Sequence, residues 1–149
     1  MKKGNLLIVD DESDIVENIK ILLNDLAAEV FTACNGLEAI EQINKHQIHC
    51  IVCDINMPIM NGVELIKAIR SQENNVPFIF YTGHGNQDLM MEAVKYGAFD
   101  FLDKPELSNL EEVVSRGLRE GTDGSSDLQM SDETYLSEYQ KLLQSLEKE

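Results

Sequence analysis

Acidic, hydroxyl and ammonium side chains follow four separate apolar runs of this sequence. Asp10 and Asp11 follow the first run, and Asp54, Thr82 and Lys104 follow three later ones. Three carboxylates brought together repel one another and need a cation, and an all-oxygen set of ligands suits Mg²⁺, with Mn²⁺ as the alternative. A carboxylate can attack phosphorus, while an ammonium and a hydroxyl stabilise the charge of the transferred group. The set therefore predicts phosphoryl transfer to a carboxylate, with Asp54 as the best nucleophile.

Alternating apolar runs and amphipathic segments must position these side chains. The runs predict five short strands, at residues 6–9, 29–33, 48–53, 77–81 and 99–102. Most runs are continuous in hydrophobicity, which is typical of a parallel sheet covered by helices on both faces. Ligands of such sheets bind outside the carboxyl ends of the strands, so the polar residues there are expected to converge. Ser13 is the predicted N-cap of the first helix, and Asn35-Gly36 is the turn that opens the second.

The chain is predicted to hold one α/β domain at residues 1–121. A small, polar linker at 122–130 and an amphipathic helical tail at 131–149 follow it. Tyr135, Tyr139, Leu142 and Leu146 fall at helical spacing in the tail. The sequence leaves four alternatives open for the tail. It could pack on the domain, pair with another copy, dock on a partner or form a loosely attached extension.

The charge of the chain limits its partners. A formal net charge of −15 repels nucleic-acid phosphates and anionic lipid, so neither is an expected partner. No apolar stretch is long enough to span a bilayer, and the amino-terminal apolar run is too short for a signal peptide. Three cysteines without such a signal favour reduced thiols. A cytoplasmic location is the expectation.

Cys50 and Cys53 have the C-x-x-C spacing, but they lie within a predicted strand. Side chains three apart on a strand point to opposite faces, so core packing is preferred over a metal site or a redox pair. His46 and His49 have no partner at ligand spacing and are interpreted as surface residues.

Four sequence segments together resemble the receiver domain of two-component response regulators. They are Ile8-Val9-Asp10-Asp11-Glu12, residues 54–62 (DINMPIMNG), residues 81–84 (YTGH) and residues 97–105 (GAFDFLDKP). The resemblance covers residues 5–120, and the combination of motifs is highly specific. It implies a five-stranded parallel sheet in the flavodoxin-like order 2-1-3-4-5, with helices on both faces.

The resemblance also implies a role for each matching residue. Asp54 would be the phosphoacceptor. Asp10, Asp11, Asp54 and the backbone carbonyl of Asn56 would form the magnesium site. Thr82 would bind the phosphoryl group by a hydrogen bond, and Lys104 would form an ion pair with it.

Other matching positions concern switching and kinetics. Phe101 occupies the position of the family's switching aromatic residue, with ordinary core packing as the alternative. Asn56 and His84 would tune the lifetime of the phosphoryl group, and Lys104–Pro105 is expected to be a cis peptide bond.

The function expected from the resemblance is signalling rather than enzymatic turnover. A histidine kinase or a histidine phosphotransfer protein would be the phosphoryl donor, and an unidentified downstream protein would recognise the switched surface. A homodimer through the tail, or through the fourth helix, fifth strand and fifth helix, stays open.

Three other functions are considered. A phosphohydrolase acting through an aspartyl phosphate would need an acid–base carboxylate two residues after the nucleophile, where this chain has Asn56. A flavin carrier would need a phosphate loop in place of Asp-Asp-Glu. A scaffold that has lost phosphorylation would not need the complete acidic set.

Overall fold

A computed structural model describes residues 4–83 and 87–123, in which five strands alternate with five helices. The strands are β1 (Asn5–Val9), β2 (Glu29–Ala33), β3 (Cys50–Cys53), β4 (Phe78–Thr82) and β5 (Asp100–Asp103). The helices are α1 (Ser13–Leu23), α2 (Gly36–Lys45), α3 (Gly62–Ser71), α4 (Gln87–Lys95) and α5 (Leu110–Thr122). The tail and most of the linker predicted from the sequence lie outside the described residues, as does His84.

The strands form one parallel sheet in the order β2-β1-β3-β4-β5, which confirms the predicted fold. One line of paired residues crosses four strands from Val9 through Cys53 and Phe80 to Phe101. This register brings the carboxyl ends of β1, β3, β4 and β5 to one edge. The polar residues that follow these strands are therefore held on a common rim.

Alternate strand residues build two separate hydrophobic cores, one on each face of the sheet. Leu7 and Val9 belong to one core, whereas Leu6 and Ile8 belong to the other. Cys50 and Cys53 divide in the same way, and both are buried, free thiols. The packing interpretation of the C-x-x-C spacing is confirmed, because the sheet separates the two sulfur atoms.

Asparagine caps begin two of the helices that face the first core. The side chain of Asn35 accepts a hydrogen bond from the Glu38 amide at 2.9 Å, as the predicted turn requires. Asn61 and Glu64 form a reciprocal capping box at the start of α3. The predicted cap of α1 is wrong: Ser13 is the first helical residue and Glu12 is the N-cap, without a side-chain cap bond. The extended backbone of Glu12 places the helix start one residue earlier than the pattern indicated.

His49 connects three elements at the edge of the sheet opposite the acidic rim. Its Nδ1 accepts a hydrogen bond from the Asn5 amide at 2.8 Å, and its own amide donates to the Asn5 carbonyl at 2.9 Å. A Cβ on Gly121 would lie 1.8 Å from the His49 carbonyl oxygen, so glycine lets the last turn of α5 lie against β3. The surface interpretation of His49 is only partly right, because the residue is half-buried and its Nδ1 binds the Asn5 amide. His46 is exposed and stacks on Phe31.

Protonation of His49 is expected to destabilise the fold. Burial lowers its pKa below the ordinary histidine value, and a protonated Nδ1 cannot accept from Asn5. The unfolded chain therefore binds a proton more readily than the folded chain, so this stabilisation is complete above about pH 6.5 and is lost as the pH falls below it. We expect the difference in unfolding free energy between the native chain and His49→Gln to shrink from about pH 7 to about pH 5 in urea titrations. A difference that stays constant over this range would contradict the assignment.

Within the described parts of the chain, none of the helices is both long and apolar enough to cross a membrane.

Candidate functional site

The backbone at the rim is held by ladder hydrogen bonds that continue beyond the strands. The Asp10 amide donates to Ala33 at 3.1 Å, and the Asp54 amide donates to Val9 at 3.0 Å. The Lys104 amide donates to the Thr82 carbonyl at 2.9 Å. Parallel pairing thus fixes the backbone of these side chains to the same scaffold, and they converge as predicted.

Lys104 lies at the centre of the acidic rim. Its Nζ is 2.7 Å from Asp10 Oδ2 and 3.1 Å from Asp54 Oδ2. Glu12 Oε1 is 3.7 Å from the same nitrogen. The side chains of Asp10, Asp54 and Lys104 are at most 10% exposed, so their charges interact with little screening by water.

Neighbouring backbone orients the Asp54 carboxylate. Its Oδ1 accepts a hydrogen bond from the Ile55 amide at 2.8 Å, while Oδ2 faces Lys104. A Cβ on Gly62 would lie 2.4 Å from the Asp54 carbonyl oxygen, so the start of α3 closely approaches the loop that follows β3. Both carboxylate oxygens therefore have a defined direction.

A divalent cation fits the oxygen donors of this rim. Asp10, Asp11, Glu12 and Asp54 can each offer one carboxylate oxygen, and these atoms lie within 4.8 Å of one another. Asp11 and Glu12 are exposed, which leaves one side of the cluster accessible to water. Hard oxygen ligands with room for water are the donor set of Mg²⁺. Asn56 is exposed in the loop after Asp54.

The pKa values at the rim show how burial and charge compete. Burial raises the pKa of Asp10, although the hydrogen bonds from Lys104 and from the Glu12 amide oppose the rise. Burial also disfavours the charged form of Lys104, but its hydrogen bonds to Asp10 and Asp54, together with their charges, outweigh this and raise the pKa of Lys104. The ammonium is thus held in its charged form by the carboxylates.

Thr82 is the last residue of β4, and Phe101 lies in β5, two of the strands whose carboxyl ends form this rim. Thr82 is 3% exposed, and its Oγ1 has no hydrogen-bond partner among the residues that the structure describes. A buried hydroxyl in this condition is energetically unfavourable. Phe101 is half-buried and stacks on Phe80, with ring centroids 5.4 Å apart. The Lys104–Pro105 bond is cis, as expected.

Two groups that contact the site residues were not assigned a role from the sequence. Glu12 belongs to the carboxylate cluster and lies near Lys104. The sequence contained a signal for this role, because Glu12 directly follows the acidic pair Asp10-Asp11. The Ile55 amide that orients Asp54 had no signal, since every non-proline residue carries the same group.

A family model described as the response regulator receiver domain matches residues 6–115. This chain belongs to that family.

Curated relatives carry the receiver domain within longer proteins. The chain is 30% identical over 119 residues to the transcriptional regulatory protein FixJ of Bradyrhizobium diazoefficiens, covering 79% of this chain and 58% of FixJ. It is 35% identical to the response regulator protein PilR of Pseudomonas aeruginosa, covering 80% of this chain and 27% of PilR. The chain therefore spans between about a quarter and three fifths of these relatives' lengths.

Solved receiver structures share the fold. The receiver domain of NtrX from Brucella abortus superimposes with a TM-score of 0.69 at 32% identity, covering 76% of this chain and 98% of that one. Full-length FixJ from B. japonicum superimposes with a TM-score of 0.74 at 28% identity, covering 85% of this chain and 63% of FixJ.

Proposed function

We propose that this receiver domain accepts a phosphoryl group on Asp54 from a phosphohistidine of a histidine kinase or a histidine phosphotransfer protein. The observation that carries the proposal is the convergence of Asp10, Asp54 and Lys104 at the end of the sheet that also holds the buried Thr82 hydroxyl, which has no hydrogen-bond partner among the described residues. Membership of the receiver family supports the choice of donor. The free thiols agree with a reducing compartment, and we place this role in the cytoplasm.

The transfer would exchange one bond to phosphorus for another. A carboxylate oxygen of Asp54 forms the new P–O bond as the P–N bond to the donor imidazole breaks, and the imidazole nitrogen keeps the electron pair. Lys104 then pairs with a phosphoryl oxygen, and the Thr82 hydroxyl donates a hydrogen bond to another. The Ile55 amide, which donates a hydrogen bond to Asp54 Oδ1, would help to orient the carboxylate for this reaction.

Mg²⁺, or Mn²⁺ in its place, would neutralise charge on the phosphoryl oxygens when bound. The residues that would hold it are Asp10, Asp11 and Asp54, with the backbone carbonyl of Asn56. The proximity of the three carboxylates supports this choice.

Signalling would follow from a shift between two populations of the domain. Movement of Thr82 toward the phosphoryl group would leave room for Phe101 to rotate inward, and the surface of α4, β5 and α5 would change with it. An unidentified downstream protein, or a second copy of this chain, would recognise that surface. Asn56 and His84 would tune the lifetime of the phosphoryl group.

Asn56 argues against the main enzymatic alternative, a phosphohydrolase that turns over through an aspartyl phosphate. Such an enzyme needs a carboxylic acid at this position to protonate the leaving group, and an amide cannot do so. Self-catalysed transfer and self-catalysed loss of the phosphoryl group are therefore the chemistry that we assign. The intact acidic set and Lys104 argue equally against a scaffold without phosphorylation.

Intact-protein mass spectrometry tests the assignment of Asp54. Incubation with Mg²⁺ and a small phosphodonor is expected to add about 80 Da, the mass of one phosphoryl group, to the native chain. Asp54→Asn is expected to add none, because an amide is not a competent nucleophile. Asp14→Asn removes an exposed carboxylate on α1 and serves as the matched control, which gains the full mass. An unchanged gain in Asp54→Asn would refute the assignment.

A further inference from the structure

Lys104 and a bound cation would share the same carboxylate oxygens. Its Nζ is 2.7 Å from Asp10 Oδ2 and 3.1 Å from Asp54 Oδ2, and both carboxylates belong to the cluster that offers donors to a metal. A divalent cation held there is a close neighbour of an ammonium group that is only 10% exposed. Two like charges at short range with little water between them repel strongly. Lys104 is therefore placed where its charge would oppose a divalent cation.

Glu12 is placed to relieve this repulsion. Its Oε1 lies 3.7 Å from Lys104 Nζ, and its side chain is 63% exposed and thus free to change rotamer. Its backbone is fixed, because its amide donates to Asp10 Oδ1 at 2.9 Å. Among the described residues of the cluster, Asp10, Asp54 and Glu12 lie within ion-pair distance of the Lys104 ammonium. Glu12 is therefore an additional anionic partner for it.

We propose that Lys104 opposes divalent-cation binding at this rim and that Glu12 is a positioning residue, which accepts the ammonium when the cation occupies Asp10 and Asp54. Glu12 thereby keeps Lys104 at the rim, available to the phosphoryl oxygens. The inference rests on the proposed phosphoacceptor function, in which Mg²⁺ and Lys104 act together. A direct metal ligand at Glu12 is the competing explanation for its place in the cluster.

A double-mutant cycle on Mg²⁺ affinity separates the two explanations. Isothermal titration calorimetry of the full chain, without any phosphodonor, would compare the native protein, Lys104→Met, Glu12→Gln and the double variant. We expect Lys104→Met to bind Mg²⁺ about tenfold more tightly, because a repelling charge is removed. We expect Glu12→Gln to weaken binding about fivefold when Lys104 is present and less than about twofold in the Lys104→Met background.

Two further variants complete the design. Lys104→Gln is a second neutral replacement and is used if Lys104→Met does not fold. Glu17→Gln removes an exposed carboxylate of α1 outside the cluster and measures the effect of net charge alone. We expect its Mg²⁺ affinity to match that of the native chain.

Each outcome decides a different part of the proposal. Equal losses from Glu12→Gln in both backgrounds would make Glu12 a direct ligand and overturn its positioning role. If the neutral Lys104 variants bind Mg²⁺ no more tightly than the native chain, Lys104 does not oppose Mg²⁺ binding and that part of the proposal is overturned. The phosphorylation of Asp54 is tested separately, by the mass measurement. A native chain that binds no Mg²⁺ would overturn this inference together with the magnesium part of the proposed function.

Discussion

Gly62→Ala is expected to lower the free energy of unfolding by about 3 kcal/mol and to reduce phosphoryl incorporation at Asp54. A Cβ at this position would lie 2.4 Å from the Asp54 carbonyl oxygen and 2.8 Å from a ring carbon of Phe80. The first neighbour is backbone, which cannot rotate away. The start of α3 or the loop that carries Asp54 must therefore move, and both positions support the proposed site.

The sign of this effect is informative because helix propensity predicts the opposite. Alanine in place of glycine stabilises a helix by up to about 1 kcal/mol when nothing obstructs the methyl group. A loss of stability in Gly62→Ala therefore reports the close approach of α3 to Asp54, because the steric cost exceeds the gain in helix propensity.

Urea unfolding and intact-protein mass spectrometry on the same samples would measure both effects of Gly62→Ala. Gly83→Ala is the matched control for the stability measurement alone, since its Cβ would be 3.8 Å from the nearest atom, Cβ of Lys104, an ordinary contact. It is expected to change stability little. A Gly62→Ala variant at least as stable as the native chain would show that the helix can shift at no cost.

Arg70→Met is expected to destabilise the domain by about 3 kcal/mol. The Arg70 guanidinium binds backbone carbonyls of two separate connections. Nε donates to Tyr96 at 2.7 Å and Nη2 to Gly97 at 3.2 Å, after α4. Nη1 donates to Asn74 at 3.0 Å and Val76 at 2.9 Å, between α3 and β4. Methionine fills similar space but leaves these carbonyls without their charged donor.

Lys67→Met controls for the loss of one positive charge on the same helix. Lys67 pairs with Glu92 across α3 and α4 in an exposed position, where ion pairs contribute little. Urea unfolding at constant pH and salt is expected to separate the two variants clearly, and hydrogen exchange of the Tyr96 and Gly97 amides should accelerate only in Arg70→Met. Equal stability of the two variants would show that the guanidinium bonds are replaced by water without loss.

The positions of the strands were predictable, and β2 has the predicted bounds, but the other four strands differ from the prediction by one or two residues at one or both ends. The apolar run at 48–53 predicted a strand from Ile48, whereas β3 begins at Cys50. The run at 99–102 predicted a strand that ends at Leu102, whereas β5 covers Asp100–Asp103. Hydrophobicity marks which residues are buried, while the limits of a strand depend on where its neighbours offer hydrogen bonds.

The limits of β4 show the same dependence on pairing. The predicted strand includes Pro77, but β4 covers Phe78–Thr82. Pro77 has no amide hydrogen and contributes only its carbonyl, which accepts from the Ile51 amide at 2.9 Å. The strand therefore begins after it, and the extra residue at the other end brings Thr82 into register with Asp103.

The linear order of residues was enough to determine the α/β fold, the family and the edge of the sheet at which Asp10, Asp54, Thr82 and Lys104 meet. This was possible because parallel strands align their carboxyl ends and because those residue types have specific chemistry. Only the tertiary structure decided that Ile55 orients Asp54, that Glu12 lies beside Lys104, and that Gly62 and Arg70 hold α3 against its surroundings. These contacts join backbone groups and distant side chains at distances of a few ångströms, which depend on how the helices pack on the sheet and which residue spacing alone does not specify.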